Sequence, residues 1–373
     1  MKLLLTCGGT AGHVYPAVAL ARVFQRHHPD CQVLFVGADG GMELKLVAQE
    51  GYPIATVTIS NFRRSLSPKQ WGHNLKSAWN VVRSRRQAAG ILKDFSPDLV
   101  VGTGGYASFP AVRQAARMGI PTAIHESNAS PGLTTRTLAK SVDLVMVGFE
   151  EAVRSYEEAS KVKVTGTPVR PDFFALDREQ ARAKLGLTDD RPLVLSFWGS
   201  LGASVMNREM LDFMACWREE DRPFHHIHGA GRDFETMEQG LSSRGLDPED
   251  FDLRQYIYDM PTVMAAADLV LCRAGASTLS ELTATGKPAI LVPSPNVTAN
   301  HQFKNAKVLA DRGGALLLEE KDCTGEKLYQ AVRGLLDDGA GRDRMRQAQL
   351  SLAAPTAAED IYQALMELMG KAH

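Results

Sequence analysis

The sequence lacks the patterns that mark several classes of protein. Its five cysteines include no Cys-x-x-Cys pair, which argues against a zinc site or a disulfide framework and favours reduced, buried thiols in a cytosolic protein. No stretch approaches the roughly 20 apolar residues of a membrane span, and the first apolar run, Leu3–Leu5, is too short for a signal peptide. The formal net charge of −1 lacks the basic excess of general nucleic-acid binders, so we expect no nucleic-acid partner.

What the sequence does have is a regular alternation of short apolar runs with helical patterns. Such alternation predicts βαβ units, in which helices cover both faces of a parallel sheet. The predicted strands are Lys2–Cys7, Gln32–Val36, Ala55–Ile59, Leu99–Gly102, Thr122–His125, Leu144–Val147, Lys161–Thr165, Leu193–Phe197, His225–Ile227, Asp252–Tyr256, Leu269–Cys272, Ala289–Val292 and Ala315–Leu318.

The two halves of the chain begin alike, with an apolar strand, a Gly-rich turn and a helix, over Leu3–Gly12 and Leu193–Ala203. We therefore predict an α/β protein with two similar doubly wound domains, in line with a length of 373 residues. Gly166–Pro171, with its glycine and prolines, indicates a hinge, which places the domains over 1–165 and 166–341. We expect the C-terminal segment 342–373, with a last helix from about Ala357 to Met369, to pack back on the first domain.

The stretch Asp268–Ala306 carries the strongest ligand-site pattern. A strand, Leu269–Cys272, leads into the small-residue turn Arg273–Thr278 and then into a helix. Such a turn leaves backbone N–H groups at a helix N-terminus, which favours a phosphate group. Glu281 is placed to accept hydrogen bonds from ribose hydroxyls, and Gln302 offers a donor and an acceptor to a sugar. An ordinary strand, turn and helix with a solvated Glu281 is the alternative.

Three polar turns in the first domain follow predicted strands. Gly8–His13 is neither the dinucleotide fingerprint, since Thr10 stands at the place of the second glycine, nor a P-loop, although its backbone can hold an anion. Gly102–Ser108 and His125–Asn128 follow two further strands. Turns at the carboxyl edge of one sheet indicate a cleft. His13 is the candidate general base there or, alternatively, a helix cap.

The segment Asn61–Lys93 contains eight basic residues and no acid. Apolar residues in it share one helical face, a pattern typical of a helix that docks on an anionic membrane surface. A core-facing apolar stripe with a solvated basic back is the alternative. The candidate docking residues are Arg63, Arg64, Trp71, Leu75, Trp79, Val82, Arg83 and Arg86.

The second domain has two further candidate sites. Gly199–Ala203 follows a strand and opens a helix, so Ser200 is placed either to bind a phosphate or to cap that helix. His225, His226 and His228 lie along one strand. Because no acidic or cysteine partner accompanies them, the pattern favours core or edge histidines over a metal site.

Taken together, these motifs resemble the MurG family of peptidoglycan glycosyltransferases, which add N-acetylglucosamine to a lipid-linked muramoyl-pentapeptide. The resemblance covers essentially the whole chain. The sequence departs from the family pattern where Ala11 and Trp198 replace glycines and Thr167 replaces an asparagine, and Trp198 is expected to narrow its loop. The matching stretches are Gly8–His13, Gly102–Ser108, His125–Asn128 with Gly132–Thr134, Gly166–Arg170, Gly199–Ala203, and Arg273–Glu281 with Asn300–Ala306.

The resemblance implies a GT-B fold, in which two Rossmann-like domains have a cleft between them. It implies that the second domain binds UDP-N-acetylglucosamine, with Glu281 on the ribose and Ile257 on the uracil. The first domain would take the lipid-linked acceptor, with Gly104, Gly105 and Tyr106 on the acceptor side. The implied donor-site residues are Thr10, Ala11, Gly12, Asn128, Arg170, Ser200, Ile257, Ala276, Ser277, Thr278, Leu279, Ser280, Glu281 and Gln302.

The implied hexosyl transfer is an attack by an acceptor hydroxyl on the anomeric carbon as UDP leaves, with inversion. Helix N-termini, Ser200 and Arg170 would stabilise the leaving diphosphate, so we expect no cofactor and no metal. His13 is the first candidate for the base, and His125 and Glu126 are the alternatives. The enzyme would act peripherally at the cytoplasmic face of the bacterial membrane, where other cell-wall synthesis proteins are candidate partners.

Two other classes of function fit the same pattern. One is a different GT-B enzyme, such as a glycolipid glycosyltransferase or a UDP-sugar epimerase. The other is a noncatalytic scaffold that binds a nucleotide sugar. An epimerase would convert UDP-N-acetylglucosamine without an acceptor, and a scaffold would bind it without transfer.

Overall fold

The computed structural model of the protein describes residues 1–59, 83–199 and 201–371. The chain forms two compact units, one of Met1–Arg170 with Ala354–His373 and one of Pro171–Ala353. Each unit contains one parallel β-sheet with helices packed on it, which confirms the predicted fold class. Every helix within the described residues is too short or too polar to span a bilayer.

The described residues contain thirteen strands and fourteen α-helices. The strands are β1 (Lys2–Thr6), β2 (Gln32–Ala38), β3 (Ile54–Val57), β4 (Leu99–Gly102), β5 (Thr122–Glu126), β6 (Leu144–Val147), β7 (Val162–Val164), β8 (Leu193–Phe197), β9 (His225–Gly229), β10 (Asp252–Arg254), β11 (Leu269–Cys272), β12 (Ala289–Leu291) and β13 (Leu316–Leu317). The helices are α1 (Ala11–His27), α2 (Glu43–Gln49), α3 (described over 83–95), α4 (Ser108–Arg117), α5 (Leu133–Ala139), α6 (Arg178–Lys184), α7 (Ser204–Glu219), α8 (Phe234–Ser242), α9 (Met260–Ala266), α10 (Ala276–Thr285), α11 (His301–Asp311), α12 (Gly325–Asp337), α13 (Gly339–Ser351) and α14 (Ala357–Lys371).

The sheet of the first unit is apolar on both faces, as a parallel sheet between helices requires. Alternate residues of a strand point to opposite faces. Leu3 and Leu5 of β1 therefore pack in one core cluster with Phe24 of α1, whereas Leu4 packs in another with Val112 of α4. α14 closes the first cluster, where the Tyr362 ring meets Phe24 edge to face with 5.0 Å between centroids.

The sheet order places the Gly-rich turns in pairs. The order is β3-β2-β1-β4-β5-β6-β7 in the first unit and β10-β9-β8-β11-β12-β13 in the second. It reverses between β1 and β4 and between β8 and β11, and such reversals open a crevice at the carboxyl ends of the strands, where ligands bind. The predicted turns at Gly8, Gly102, Gly199 and Arg273 end these four strands. Each unit therefore has two predicted turns at its own switch point.

The C-terminal segment divides differently from the prediction. Only α14 packs on the first unit, whereas α13 belongs to the second. Gln349 of α13 is fully buried and donates to the carbonyls of Lys287 and Gly314, each at 2.7 Å. These bonds and the contact of Leu350 with Gly286 tie α13 to the end of α10, so the expectation for the whole of 342–373 was wrong in its first part.

Candidate active site

In the first unit, the turns that end β1 and β4 lie against each other. A Cβ atom at Gly105 would lie 2.0 Å from the Gly8 carbonyl oxygen, and one at Gly104 would lie 2.6 Å from His13 Nδ1. Both glycines also have left-handed backbones, with φ of +80° and +108°. Glycine is therefore required at both positions by space and by conformation.

His13 is held in one tautomer by the turn after β4. Its Nδ1 lies 3.1 Å from the Thr103 carbonyl oxygen, and the Thr103 hydroxyl donates to the His13 carbonyl at 2.6 Å. A carbonyl oxygen only accepts, so Nδ1 carries the proton and Nε2 is the basic nitrogen of the neutral ring. The N-cap of α1 is Thr10, and the ring of His13 is half-buried in the first turn. This geometry suits a general base.

His125, the second candidate base, is fully buried within the first unit. Its Nε2 donates to the Gly166 carbonyl at 2.9 Å, and its Nδ1 lies 3.4 Å from the Ser127 hydroxyl. Burial lowers the pKa of the His125 imidazole, which weakens it as a base. The arrangement favours a structural role at the end of β5.

Glu126, the third candidate base, organises the loop that follows β5. It is 4% exposed, and four donors converge on its carboxylate. One oxygen accepts from the backbone N–H and the side-chain amide of Asn128, at 3.0 and 2.8 Å. The other accepts from the Gly132 N–H at 3.0 Å and from the Thr135 hydroxyl. Glu126 therefore orients Asn128, and its lone pairs are committed to the loop.

The remaining predicted residues of the first unit lie at the edge of the same sheet. Thr10 is exposed, and Ala11 and Gly12 are partly exposed in the first turn of α1. Tyr106 is half-buried, and its ring edge lies within 4.0 Å of a Cβ built at Gly9. The guanidinium carbon of Arg170 lies 4.7 Å from the centroid of the Tyr15 ring, a cation–π contact.

In the second unit, two Gly-rich turns meet backbone to backbone. A Cβ atom at Gly202 would lie 2.4 Å from the Ala230 carbonyl oxygen, and one at Gly231 would lie 2.4 Å from the Gly202 nitrogen. The Arg232 N–H donates to the Leu201 carbonyl at 3.2 Å. The turn after β8 therefore rests directly on the turn after β9, and neither can carry a side chain at the contact.

A chain of buried hydrogen bonds holds these two turns. His228 Nε2 donates to the Asn207 side-chain oxygen at 3.2 Å, so its Nδ1 must accept from the Ser196 hydroxyl at 2.7 Å. Ser196 in turn accepts from His226 Nε2 at 2.8 Å. The Asn207 amide donates to the Ala230 carbonyl at 2.8 Å and to Asp233 at 2.9 Å. The chain thus runs from β9 through β8 and α7 to the turn.

The three histidines lie in the core and at the sheet edge, the positions that the sequence pattern favours. Burial lowers the pKa of His226 to about 3, and the pKa of His228 also falls well below its usual value. His225 lies at the edge and pairs with Asp189 at 2.7 Å. No group of His, Cys, Asp and Glu suited to a metal ion occurs among the described parts of the chain.

The turn after β11 is shorter than predicted. Gly275 is the N-cap of α10 with an extended backbone, so Ala276, Ser277 and Thr278 form the first helical turn. Helix N-termini of this kind favour anions. Glu281 follows in the second turn and is half-buried.

Two neighbours predicted at this site have local partners within the protein. Leu279 is fully buried and its N–H donates to the Gly275 carbonyl at 3.0 Å. The Ser280 hydroxyl donates to the Ala276 carbonyl at 3.0 Å, within the helix. The predicted contact of both residues with a ligand at this helix end stays a prediction, and their backbone lies in the first turns of α10.

Gln302 presents mainly its amide nitrogen. Its Oε1 accepts from the Ser294 N–H at 2.8 Å, which leaves the NH₂ group as the donor for a hydroxyl. Ala299 and Asn300, just before α11, both have positive φ values, of 55° and 52°. A left-handed alanine costs on the order of 1–2 kcal/mol, and such strain occurs where a segment must hold a set position.

Trp198 does not narrow the loop, contrary to the prediction. It is 3% exposed and packs in the core cluster with Met206. The Arg273 guanidinium lies 5.8 Å from the Trp198 ring centroid, donates to the Val292 carbonyl at 3.0 Å and pairs with Glu320. The large side chain is accommodated beneath the turn rather than in it.

The remaining predicted residues lie partly inside and partly outside the described parts of the chain. Ile257 is described: it is 6% exposed, and its side chain lies 3.2 Å from a Cβ built at Gly229. Arg83 and Arg86 are exposed on α3. The residues outside are Ser200, Arg63, Arg64, Trp71, Leu75, Trp79 and Val82.

Sequence reasoning missed two buried polar residues beneath the turns, Asn207 and Glu43. Asn207 is 2% exposed and Glu43 is fully buried. A signal exists for Glu43, because the glycines at 40 and 41 precede an acid at the start of a helix. Asn207 lies in an ordinary amphipathic helix, and its partners lie on other elements.

Comparison with known proteins identifies the family. The family model of the glycosyltransferase family 28 N-terminal domain matches residues 3–147, and that of the C-terminal domain matches residues 193–361. A protein of Desulforamulus reducens named UDP-N-acetylglucosamine–N-acetylmuramyl-(pentapeptide) pyrophosphoryl-undecaprenol N-acetylglucosamine transferase is 39% identical over 373 residues, or 99% of each chain. The chain belongs to this family, the MurG transferases.

Solved structures agree with membership of the MurG family. The crystal structure of Acinetobacter baumannii MurG matches with a TM-score of 0.73 and 27% identity, covering 98% of this chain and 99% of that one. A UDP-N-acetylglucosamine 2-epimerase matches with a TM-score of 0.71 and 15% identity, covering 99% and 96%. The second likeness is one of fold alone.

Proposed function

We propose that this chain transfers N-acetylglucosamine from UDP-N-acetylglucosamine to a lipid-linked N-acetylmuramyl-pentapeptide, a step of peptidoglycan synthesis. The observation that carries the proposal is the full-length likeness to named MurG transferases at 39% identity. The pairs of glycine turns at the two switch points support it, because they are the places where such folds bind ligands.

The second unit holds the donor. The N-terminus of α10 and the turn Gly199–Ala203, with Ser200, receive the diphosphate. Glu281 accepts from the ribose hydroxyls and Ile257 contacts the uracil. The amide nitrogen of Gln302, oriented by the Ser294 N–H, donates to a sugar hydroxyl.

The first unit supplies the base. The acceptor hydroxyl oxygen attacks the anomeric carbon, its proton passes to His13 Nε2, and the bond from that carbon to the diphosphate oxygen breaks as UDP leaves. One displacement inverts the anomeric centre. Arg170 and the helix N-termini stabilise the charge that develops on the leaving group. Asn128, Thr10 and Gly12 contact the donor sugar, and Tyr106 lies on the acceptor side.

The direct test is transfer of labelled N-acetylglucosamine from UDP-N-acetylglucosamine to lipid-linked muramyl-pentapeptide. We expect product only when the acceptor is present. Acceptor-independent conversion of the donor would instead support an epimerase. Donor binding without transfer would support a noncatalytic scaffold, and either result contradicts the proposal.

We further propose that the chain works peripherally at the cytoplasmic face of the cell membrane, where cell-wall synthesis proteins are candidate partners. The support is the acid-free basic segment Asn61–Lys93, of which Arg83 and Arg86 are exposed on α3. Basic residues near an anionic surface contribute about 1 kcal/mol each.

Vesicle co-sedimentation tests this docking. Arg83→Glu with Arg86→Glu should lower binding to vesicles rich in anionic lipid by about tenfold or more, because each reversal removes an attraction and adds a repulsion. Arg117→Glu with Arg154→Glu changes the same charge at two other exposed positions of the unit and serves as the control. Equal loss in both double variants would refute docking through α3.

A further inference from the structure

Glu43 is a fully buried carboxylate of the first unit that the proposed chemistry does not use. It is the first residue of α2, where the helix N-terminus favours negative charge. Its Oε1 accepts from the Ala38 N–H at 2.8 Å, and its Oε2 accepts from the Gly9 N–H at 3.2 Å. The carboxylate therefore joins the end of β2 to the turn that follows β1.

Three glycines form a cradle around this carboxylate. A Cβ atom at Gly41 would lie 2.4 Å from both carboxylate oxygens. One at Gly37 would lie 2.6 Å from Glu43 Cγ, and one at Gly8 would lie 2.9 Å from Oε1. The backbone of three segments thus leaves room for a glutamate at this position, and a methyl group at any of them would displace it.

The charge of Glu43 shifts the pKa of groups on both sides of the Gly9 turn. Burial raises the pKa of the Cys7 thiol, directly after β1, and of the Tyr106 hydroxyl beyond β4, and the Glu43 charge adds to both shifts. Gly9 itself has a φ of +88° and directs its N–H at the carboxylate. A phosphate at this turn would face a buried negative charge, which disfavours an anion there.

The Gly9 peptide directly precedes the segment that carries the base. Thr10 is the N-cap of α1, and His13 follows within the first helical turn. A shift of Gly9 therefore moves the start of α1 and changes where His13 Nε2 lies. Small displacements of a reacting group cost large factors in rate, on the order of 100-fold for 1 Å.

We propose that Glu43 is a positioning residue for the transfer step, whose carboxylate holds the Gly9 N–H inward and thereby fixes the segment Thr10–His13. This inference rests on the proposed function. We also infer that the turn after β1 binds neutral hydroxyl groups of the substrates, whereas the second unit binds the diphosphate.

Glu43→Gln tests the inference, because the carboxamide keeps the shape but places an NH₂ group against one of the two N–H donors. We expect kcat to fall by on the order of tenfold or more, while Kd for UDP, which lacks the sugar that Thr10 and Gly12 contact, stays within about twofold. Amide hydrogen exchange of a peptide covering Cys7–Gly12 should become faster. Glu50→Gln removes a carboxylate at the end of the same helix, one that pairs with Arg22, and should leave kcat unchanged.

A folded Glu43→Gln variant with wild-type kcat and wild-type exchange would overturn the inference, as would an equal loss of UDP affinity. If that variant does not fold, Gly41→Ala keeps the charge but displaces the carboxylate, and the same split between kcat and Kd for UDP is expected. A wild-type protein without acceptor-dependent transfer would instead refute the proposed function, and the exchange measurement would still decide whether Glu43 holds Gly9.

Discussion

His226 and His228 are neighbouring inward-facing residues of β9 that share one serine hydroxyl. Each ring is kept neutral by burial, and the order of donors from His226 through Ser196 to His228 leaves each of these groups a partner. Protonation of His228 would place a donor on Nδ1 against the Ser196 hydroxyl that already donates to it, and protonation of His226 would bury a positive charge. The chain of hydrogen bonds that supports the Gly202 turn is therefore sensitive to acid.

This chemistry predicts a loss of stability in acid. An unfolded histidine takes up a proton near pH 6.5, whereas the folded pKa of His226 is about 3. Below pH 6.5 the unfolded state binds more protons, so stability is complete above that pH and falls as the pH drops toward 3, by roughly 2 kcal/mol at pH 5 for one such residue. Urea unfolding of the wild type and His226→Phe at pH 7.5 and 5.0 measures the effect.

Phenylalanine is a suitable replacement because the rings of Phe213 and Phe224 already contact His226. The variant should be less stable than the wild type at pH 7.5 but should lose less stability on acidification. Equal losses in the two proteins would show that His226 does not set the acid sensitivity.

Single residues were predicted unevenly from the sequence. His13 and Glu281 lie in the first turns of α1 and α10, as the sequence predicted, because a position after a strand depends only on local pattern. The hydrogen bonds of Glu126 within its own loop and the burial of Leu279 could not be predicted, because a side chain that turns into its loop or into the core follows the same local pattern. Glu43 was missed because its contact with Gly9 spans 34 residues of sequence.

At the scale of elements, the glycine turns carry most of the sequence information. Predicted strands correspond to all thirteen described strands, with ends that differ by a few residues. The start of α10 was placed too late, after Thr278, because small residues resemble a turn. Glycine and alanine fit a helix start equally well once an N-cap such as Thr10 or Gly275 precedes them.

The pairing of turns could not be read from the sequence alone. Gly202 and Gly231 lie against each other because β8 and β9 are neighbours in the sheet. Sheet order depends on which strands bury which faces, and that choice is made by the whole unit. The sequence therefore predicted which turns exist, and the sheet order determined which of them meet.

At the scale of the whole molecule, the two units repeat one plan with different chemistry. Both place glycine turns at a switch point, but the fully buried group behind the first turn is the Glu43 carboxylate, whereas the buried groups behind the second are the neutral Asn207 and His228, with Asp233 only half-buried. A negative charge disfavours a diphosphate, whereas a helix N-terminus favours it. We therefore propose that the first unit supplies the base and the second holds the donor.

The most direct measurement of this division is the pair of constants kcat and Kd for UDP-N-acetylglucosamine in His13→Ala and Glu281→Ala. His13→Ala should lower kcat by about 10²–10⁴-fold and leave Kd unchanged, as expected for loss of a general base. Glu281→Ala should raise Kd by about 10–100-fold, as expected for lost hydrogen bonds to a charged group. A His13→Ala protein with normal kcat, or a Glu281→Ala protein with normal Kd, would contradict the account.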